Sequence, residues 1–233
     1  MSTVLSRLSE TEINQVAASL EESSVETILE WAVAEFGDRL AMTSNFGVEG
    51  IVVLDHLRRV APETPVIYLS TGFQFRETDI IKEKVREQFG LDIIEYQAPL
   101  STEEQAVVYG PRLYEREPAL CCQIRKVEPL ARALSQYDGW IAALRRDQAS
   151  TRALIRVVEW NERHQLVKIN PLARWTRGEV WDYVLKHDLP YNSLYDDGYS
   201  SIGCEPCTRR ILPEADERSG RWDGVRTECG IHA

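Results

Sequence analysis

Short apolar strands alternating with helical stretches constrain this 233-residue chain more than any single motif does. Leu40-Ala41-Met42-Thr43, Pro65-Val66-Ile67-Tyr68-Leu69, Leu91-Asp92-Ile93-Ile94-Glu95-Tyr96 and Gly139-Trp140-Ile141-Ala142-Ala143-Leu144 read as strands. Apolar runs this short, bounded by turn residues, suit strands buried on both faces. Between them, Val25, Ile28, Leu29, Ala32, Val33 and Phe36 recur at helical spacing, and Gly37 suits the stop. An apolar helix is predicted from about Val48 to Val60 and a charged one from about Glu77 to Phe89. Ser9 to Glu12 and Ser23 to Glu26 fit the S-x-x-E capping box, and Thr176 to Glu179 opens a last helix to about His187. Cys121 to Tyr137 has helical composition, with Pro129 predicting a kink or a late start. Such alternation predicts an α/β fold, a parallel sheet with helices on both faces. Past Pro190 the chain is loop-rich, so one domain over residues 1–212 and a mobile C-terminal tail over 213–233 are expected.

Hydrophobic content of 43% and charged content of 27% are ordinary for a soluble globular protein. No apolar run approaches a membrane span, and Met1 to Glu22 lacks the regions of a signal peptide. A cytoplasmic protein without a membrane partner is expected, and in that compartment thiols stay reduced. The formal net charge of −10 argues against general nucleic-acid binding. Yet Cys121 to Arg156 holds seven Lys/Arg against three acids, which suggests a small-anion site rather than only a solvated helix face.

Five cysteines stand out. Cys204-Glu205-Pro206-Cys207 alone reads equally as a redox dithiol or half a zinc site. Cys121 and Cys122 are adjacent, and neighbours close a disulfide only with strain. The two pairs therefore read as four thiolates on one centre, leaving Cys229, in Glu228-Cys229-Gly230-Ile231-His232, free to react. Ligands of open α/β sheets sit at the carboxyl ends of the strands. Three loops qualify: Ser44–Gly47, Ser70–Gly72 and Arg145–Arg152. The first offers small residues and free backbone N–H groups at a helix N-terminus. The third carries three arginines that can fork onto phosphate oxygens. His56, His164 and His187 have no ligand-like partner nearby in sequence and read as surface or satisfied core residues.

Taken together, Cys121-Cys122-Gln123-Ile124-Arg125-Lys126-Val127-Glu128-Pro129-Leu130, the Arg145-Arg146-Asp147-Gln148 loop, the C-x-x-C and the closing E-C-G-I-H resemble the assimilatory sulfonucleotide reductases. The closer resemblance is to their iron–sulfur type, adenylyl-sulfate (APS) reductase, from about Trp31 to the end. It implies an adenine-nucleotide α-hydrolase-like fold and a [4Fe-4S] cluster on Cys121, Cys122, Cys204 and Cys207. Residues 1–212 would then be the nucleotide-binding and iron–sulfur catalytic domain, and the tail would carry the catalytic Cys229. The same resemblance places Lys126 between cluster and substrate with a catalytic role. It assigns substrate binding to Ser44, Phe46, Gly47, Thr71, Gly72, Arg145, Arg146, Arg152, Arg218 and Arg221. His232, three residues after Cys229, is read as catalytic by its position, to bind the nucleotide or help set the thiol's charge, against the alternative of a disordered terminal histidine. The implied reaction is thioredoxin-dependent reduction of adenylyl sulfate to sulfite and AMP in sulfate assimilation, through a cysteine S-sulfonate. With no redox domain after residue 233, a thioredoxin or glutaredoxin-like reductant is expected in trans; homo-oligomerisation is left open.

The chain departs from the family at Leu69-Ser70-Thr71-Gly72, where L-D-T-G is usual, and at Arg76-Glu77-Thr78, where Pro-Glu-Thr is usual. It also lacks the S-G-G-x-D-S loop of ATP pyrophosphatases, which fits a nucleotide bound without ATP cleavage. Three alternatives stand beside this reading. They are a cluster-containing reductase of phosphoadenylyl sulfate (PAPS), a Cys₄ zinc nucleotide-binding protein, and a cluster-bearing tRNA thiolase.

Overall fold

The computed structural model describes residues 8–212, 215–224, 226 and 228–232. Helix α1 (Glu10–Leu20) opens on the expected capping box: Ser9 Oγ accepts from the Glu12 amide at 3.3 Å, and the Glu12 carboxylate accepts from the Ser9 amide at 2.7 Å. Helix α2 (Val25–Phe36) is capped one residue later than predicted, by Ser24, which accepts from the Thr27 amide. That shift puts Thr27 where the returning carboxylate would be, and Glu26 turns instead to His56 Nδ1 at 2.7 Å.

Strand and helix then alternate: β1 (Leu40–Thr43), α3 (Val48–Val60), β2 (Val66–Ser70), α4 (Arg76–Phe89) and β3 (Ile93–Gln97). Helices α5 (Thr102–Tyr109), α6 (Leu113–Arg116) and α7 (Pro118–Cys122) follow. A π-helical turn over Gln123–Val127 joins α7 to α8 (Glu128–Leu134). Pro129 lies in the first turn of α8, where a missing N–H is harmless; of the kink or late start expected there, the structure shows the late start, α8 beginning at Glu128 after the π-helical turn. Strand β4 (Gly139–Ala142) is followed by a hairpin of β5 (Val158–Asn161) and β6 (Leu166–Ile169), then α9 (Arg177–Lys186) with its Thr176–Glu179 capping box.

The six strands lie in the order β3-β2-β1-β4-β6-β5, all parallel except β5, which pairs antiparallel with β6 at the edge. The expected parallel α/β architecture is therefore present; the antiparallel hairpin was not foreseen. Its turn, Glu162 to Gln165 between two alternating segments, is the signal that could have revealed it. Because side chains alternate across a strand, Leu40, Met42 and Ile141 face a large core under α1, α2, α3 and α9. Ala41, Ile67, Trp140 and Ala142 face a smaller one with Leu130 and Leu134 of α8. Gly139 is required where it stands, since a Cβ there would meet the Phe36 ring at 2.6 Å. Among the described residues no helix is long and apolar enough to cross a membrane.

Helices α3 and α9 are locked by one carboxylate. Asp55, 1% exposed, accepts from Arg58 at 2.7 Å, from Arg59, and from the Tyr183 hydroxyl at 2.8 Å. Burial pushes this carboxyl up, but the hydrogen bonds from Tyr183, Arg58 and Arg59 prevail and hold it below the ordinary range. Asp55→Asn should cost about 2 kcal/mol, less than a fully buried pair because both arginines keep water contact. A depressed carboxyl stabilises fully above its unfolded value of about 3.9 and loses that contribution as acid protonates the folded state. Denaturant midpoints of wild type and Asp55→Asn should therefore differ at neutral pH and converge in strong acid.

Candidate active site

The loops leaving β1, β2 and β4 meet the C-terminal segment over a cavity of about 200 Å³ at the carboxyl edge of the sheet. In the first loop, left-handed Phe46 (φ 57°) folds the chain tightly after β1. The N–H groups of Phe46, Gly47 and Val48 are already taken, by Ser44 Oγ (3.0 Å), Asn45 Oδ1 (3.2 Å) and the Tyr195 hydroxyl (3.2 Å). The expectation that these amides are free is corrected: the loop is braced by its own polar side chains. Ser44 and Gly47 line the cavity, whereas the Phe46 ring is wholly buried against Tyr68.

The second loop holds the C-x-x-C segment in place. Gln74 forms a β-bridge with Cys204, and the Glu205 amide donates to the Phe73 carbonyl at 2.7 Å. Thr71 lines the cavity and lies 3.4 Å from Cys204 Sγ. Gly72 does not line it; its φ of 74° instead lets the backbone pass Thr102, which a Cβ would meet at 2.9 Å.

Cys121 and Cys122, buried on α7, and Cys204 and Cys207, just before and at the end of the 3₁₀ turn Glu205–Cys207, surround a second, small cavity with Phe73, Tyr114 and Trp222. All four are free thiols. Burial, then the neighbouring sulfurs, pushes Cys121 up to about 11 and Cys207 to about 12. Burial is the largest influence on Cys204 too and pushes it up, but Lys126, the Thr71 hydroxyl and Arg221 together prevail and lower it. Among the described residues no three His, Cys, Asp or Glu side chains are drawn close enough to chelate a single ion. Lys126, from the π-helical turn, shares with Cys204 and Trp222 the wall between the two cavities. Burial alone would lower its ammonium; the sulfurs of Cys204, Cys229 and Cys122 raise it.

The arginines divide. Arg152, Arg218 and Arg221 line the main cavity. Arg145 does not: it is fully buried, pairing with Glu49 (3.0 Å), Glu217 (2.8 Å) and Asp147. Arg146 points the other way, to Glu21 at the end of α1 (2.6 Å) and the Ile155 carbonyl (2.8 Å). The two consecutive arginines that look most like an anion loop are structural, because carboxylates claim them: Glu49, Glu217 and Glu21 from outside the loop and Asp147 within it. Arg145 thereby ties the start of α3 to the C-terminal segment. Gly203 makes room for Arg221, whose guanidinium would lie 2.1 Å from a Cβ there.

Cys229 lines the main cavity with Lys126 and Arg218. The preceding Glu228 is clamped by Arg152 at 2.7 and 2.8 Å, by Thr151 at 3.1 Å and by Arg218 at 3.4 Å. Burial, then the adjacent Arg152 charge, lowers Arg218 to about 10. His232 also reaches the cavity and stacks on Trp140 at 5.4 Å between centroids, its Nδ1 buried without a partner. Burial, then Lys168, holds it well below the ordinary histidine value, so it is neutral. Of the other histidines, His56 is a core residue satisfied at Nδ1 but not at Nε2, His164 is likewise unpartnered at Nε2, and His187 lies exposed against Tyr183. Sequence reasoning missed Trp222, which lines both cavities, and the grip on Glu228. An acid directly before a cysteine in a basic neighbourhood was the available signal for the second; the first had none.

Residues 39–210 match the family model described as the phosphoadenosine phosphosulfate reductase domain. Phosphoadenosine 5'-phosphosulfate reductase of Gloeobacter violaceus is 47% identical over 230 residues, covering 97% of this chain and 95% of its own. Adenosine 5'-phosphosulfate reductase of Halalkalibacterium halodurans is 45% identical over 222 residues, covering 94% and 96%. Among solved structures, phosphoadenylyl-sulfate reductase from Candida auris superposes with a TM-score of 0.78 at 32% identity, covering 87% of this chain and 98% of that one. FMN adenylyltransferase of Candida glabrata, at 10% identity and a TM-score of 0.57, covering 95% of this chain and 81% of that one, shares the fold alone. On these matches the chain belongs to the phosphoadenosine phosphosulfate reductase family.

Proposed function

We propose that this protein is a cytoplasmic adenylyl-sulfate reductase, converting APS to sulfite and AMP with electrons from a thioredoxin-like dithiol. The observation that carries it is Cys229 in a cavity with Lys126, Arg152, Arg218 and Arg221, one wall away from four converging cysteines. Guanidinium groups suit the phosphate and sulfate oxygens of a sulfonucleotide. AMP is a good leaving group, so the Cys229 thiolate attacks sulfur, the S–O bond breaks, and an S-sulfonated cysteine remains. A donor thiolate then attacks Cys229 Sγ, expels sulfite and forms a mixed disulfide, which the donor's second thiol resolves. The donor is oxidised by two electrons and the sulfonate leaves as sulfite. For the second step the segment over 213–233 must swing out, acting as a mobile tail.

The residues around the smaller cavity fit a [4Fe-4S] cluster in their chemistry: four thiols free of disulfides line one space. Cys121, Cys122, Cys204 and Cys207 would hold the cluster, which would supply electrostatic tuning beside the substrate. Lys126 in the shared wall couples the two cavities. The relatives named for APS and the five cysteines favour APS. The Gloeobacter relative named for the phosphorylated substrate keeps PAPS as a second reading. Sulfite release from the two, compared with thioredoxin supplied, decides it.

Protein purified anaerobically should be brown with about four irons per chain, and Cys204→Ser should lose them. Colourless protein with stoichiometric zinc would overturn the cluster. Arg218→Ala or Arg221→Ala should weaken APS binding by roughly 2–5 kcal/mol in calorimetry, while Arg146→Ala binds normally. Equal affinities across the set would remove the anion site. Mixing enzyme with APS and no reductant should add one SO₃ group, mapped by peptide mass to Cys229. Cys229→Ser should keep iron and APS binding yet release no sulfite.

A further inference from the structure

The last described residues are held by contacts outside the cationic wall. Gly230 takes a left-handed φ of 86°, turning the chain back immediately after Cys229. Its carbonyl accepts a 2.5 Å hydrogen bond from Nη1 of Arg163, an exposed side chain in the turn between β5 and β6. Ile231 then packs into the apolar cluster that includes Leu130 and Trp140, and His232 lies over Trp140 with an interplanar angle of 14°. The Trp140 ring is itself fixed, for its Nε1 donates to Thr43 Oγ1 at 2.8 Å. Neither Arg163 nor Trp140 lines the cavity.

We propose that Arg163 and Trp140 are positioning residues for Cys229, forming a clasp that holds the closed tail from its C-terminal side. The inference rests on the reading of Cys229 as the nucleophile. Ordering a chain terminus costs backbone entropy at every residue. The Glu228 ion pair restrains Cys229 from one side only, and a one-sided anchor leaves the thiol an arc to sweep. A second anchor one to three residues beyond reduces that arc to a near-attack geometry. Each part of the clasp is individually weak: one hydrogen bond to a carbonyl, one partly buried isoleucine, one ring stack. That suits a segment that must also release, so that a donor thiol can reach Cys229 Sγ. The edge hairpin contributes through its turn, where Arg163 donates to the Gly230 carbonyl.

The test is the rate of Cys229 alkylation by iodoacetamide on anaerobic, cluster-loaded, full-length enzyme, quantified by peptide mass mapping. Arg163→Ala should raise that rate about tenfold, the factor expected for one hydrogen bond from a charged donor, with iron content and circular dichroism unchanged. Arg163→Lys, which keeps the charge and a donor, should return it most of the way. Trp140→Phe keeps a ring for His232 but loses the Thr43 bond, and should raise it by a smaller factor. In the same variants S-sulfonation by APS should slow while APS affinity holds, a split that general destabilisation would not produce. Wild-type alkylation rates in both Arg163→Ala and Trp140→Phe would overturn the clasp. If the rates respond but APS puts no sulfonate on Cys229 even in wild type, the clasp stands and the nucleophile assignment falls.

Discussion

Lys126, Arg152, Arg218 and Arg221 face one cavity, and like charges gathered away from water repel unless anions sit among them. Much of the architecture at this edge of the sheet answers that constraint. Glu228 supplies a carboxylate to Arg152 and Arg218, and the cysteine sulfurs stand beside Lys126. The same balance is struck one layer deeper, where Arg145 is buried completely among Glu49, Asp147 and Glu217. Glu228 thus supplies part of the negative charge that these cations require.

The scaffold makes this concentration of charge tolerable. Strands β1, β2 and β4 are packed on both faces, so their carboxyl ends are rigid and the loops leaving them begin from fixed points. Each loop then uses short-range bonds to hold its shape: Ser44 and Asn45 to their own backbone, Thr71 to the Phe73 amide, Arg145 and Gln148 to each other. Against these braced loops the C-terminal segment is seated by the Glu217 and Glu228 ion pairs, by Ile231 in the apolar cluster and by His232 on Trp140.

Much of the fold was legible beforehand. Four strands, the helices after β1 and β2, and the Ser9 and Thr176 caps follow from period, burial pattern and local capping chemistry. The π-helical turn was not, because Pro129 marks the start of α8 while no residue in Gln123–Val127 marks the wider turn before it. The β5–β6 hairpin escaped because two four-residue strands carry little periodic signal. At the site, the cysteine pairs and Cys229 were readable from spacing alone. The arginines were not, since Arg145, Arg146 and Arg152 look alike in sequence and differ only in which distant carboxylate reaches them.

What the sequence by itself determined is the local chemistry: which residue types are present, their spacing along strand and helix, and a family signature in the cysteines and the closing E-C-G-I-H. Those properties depend on neighbours within a turn or two, where geometry is nearly set by residue identity. Only the tertiary structure decided which cations face the cavity, that Lys126 and Trp222 stand in the wall between two cavities, and that the tail is held by Arg163 and Trp140. Those outcomes join residues tens to more than a hundred positions apart. Whether a guanidinium meets a substrate oxygen or a carboxylate of its own chain is settled by packing, not by order along the chain.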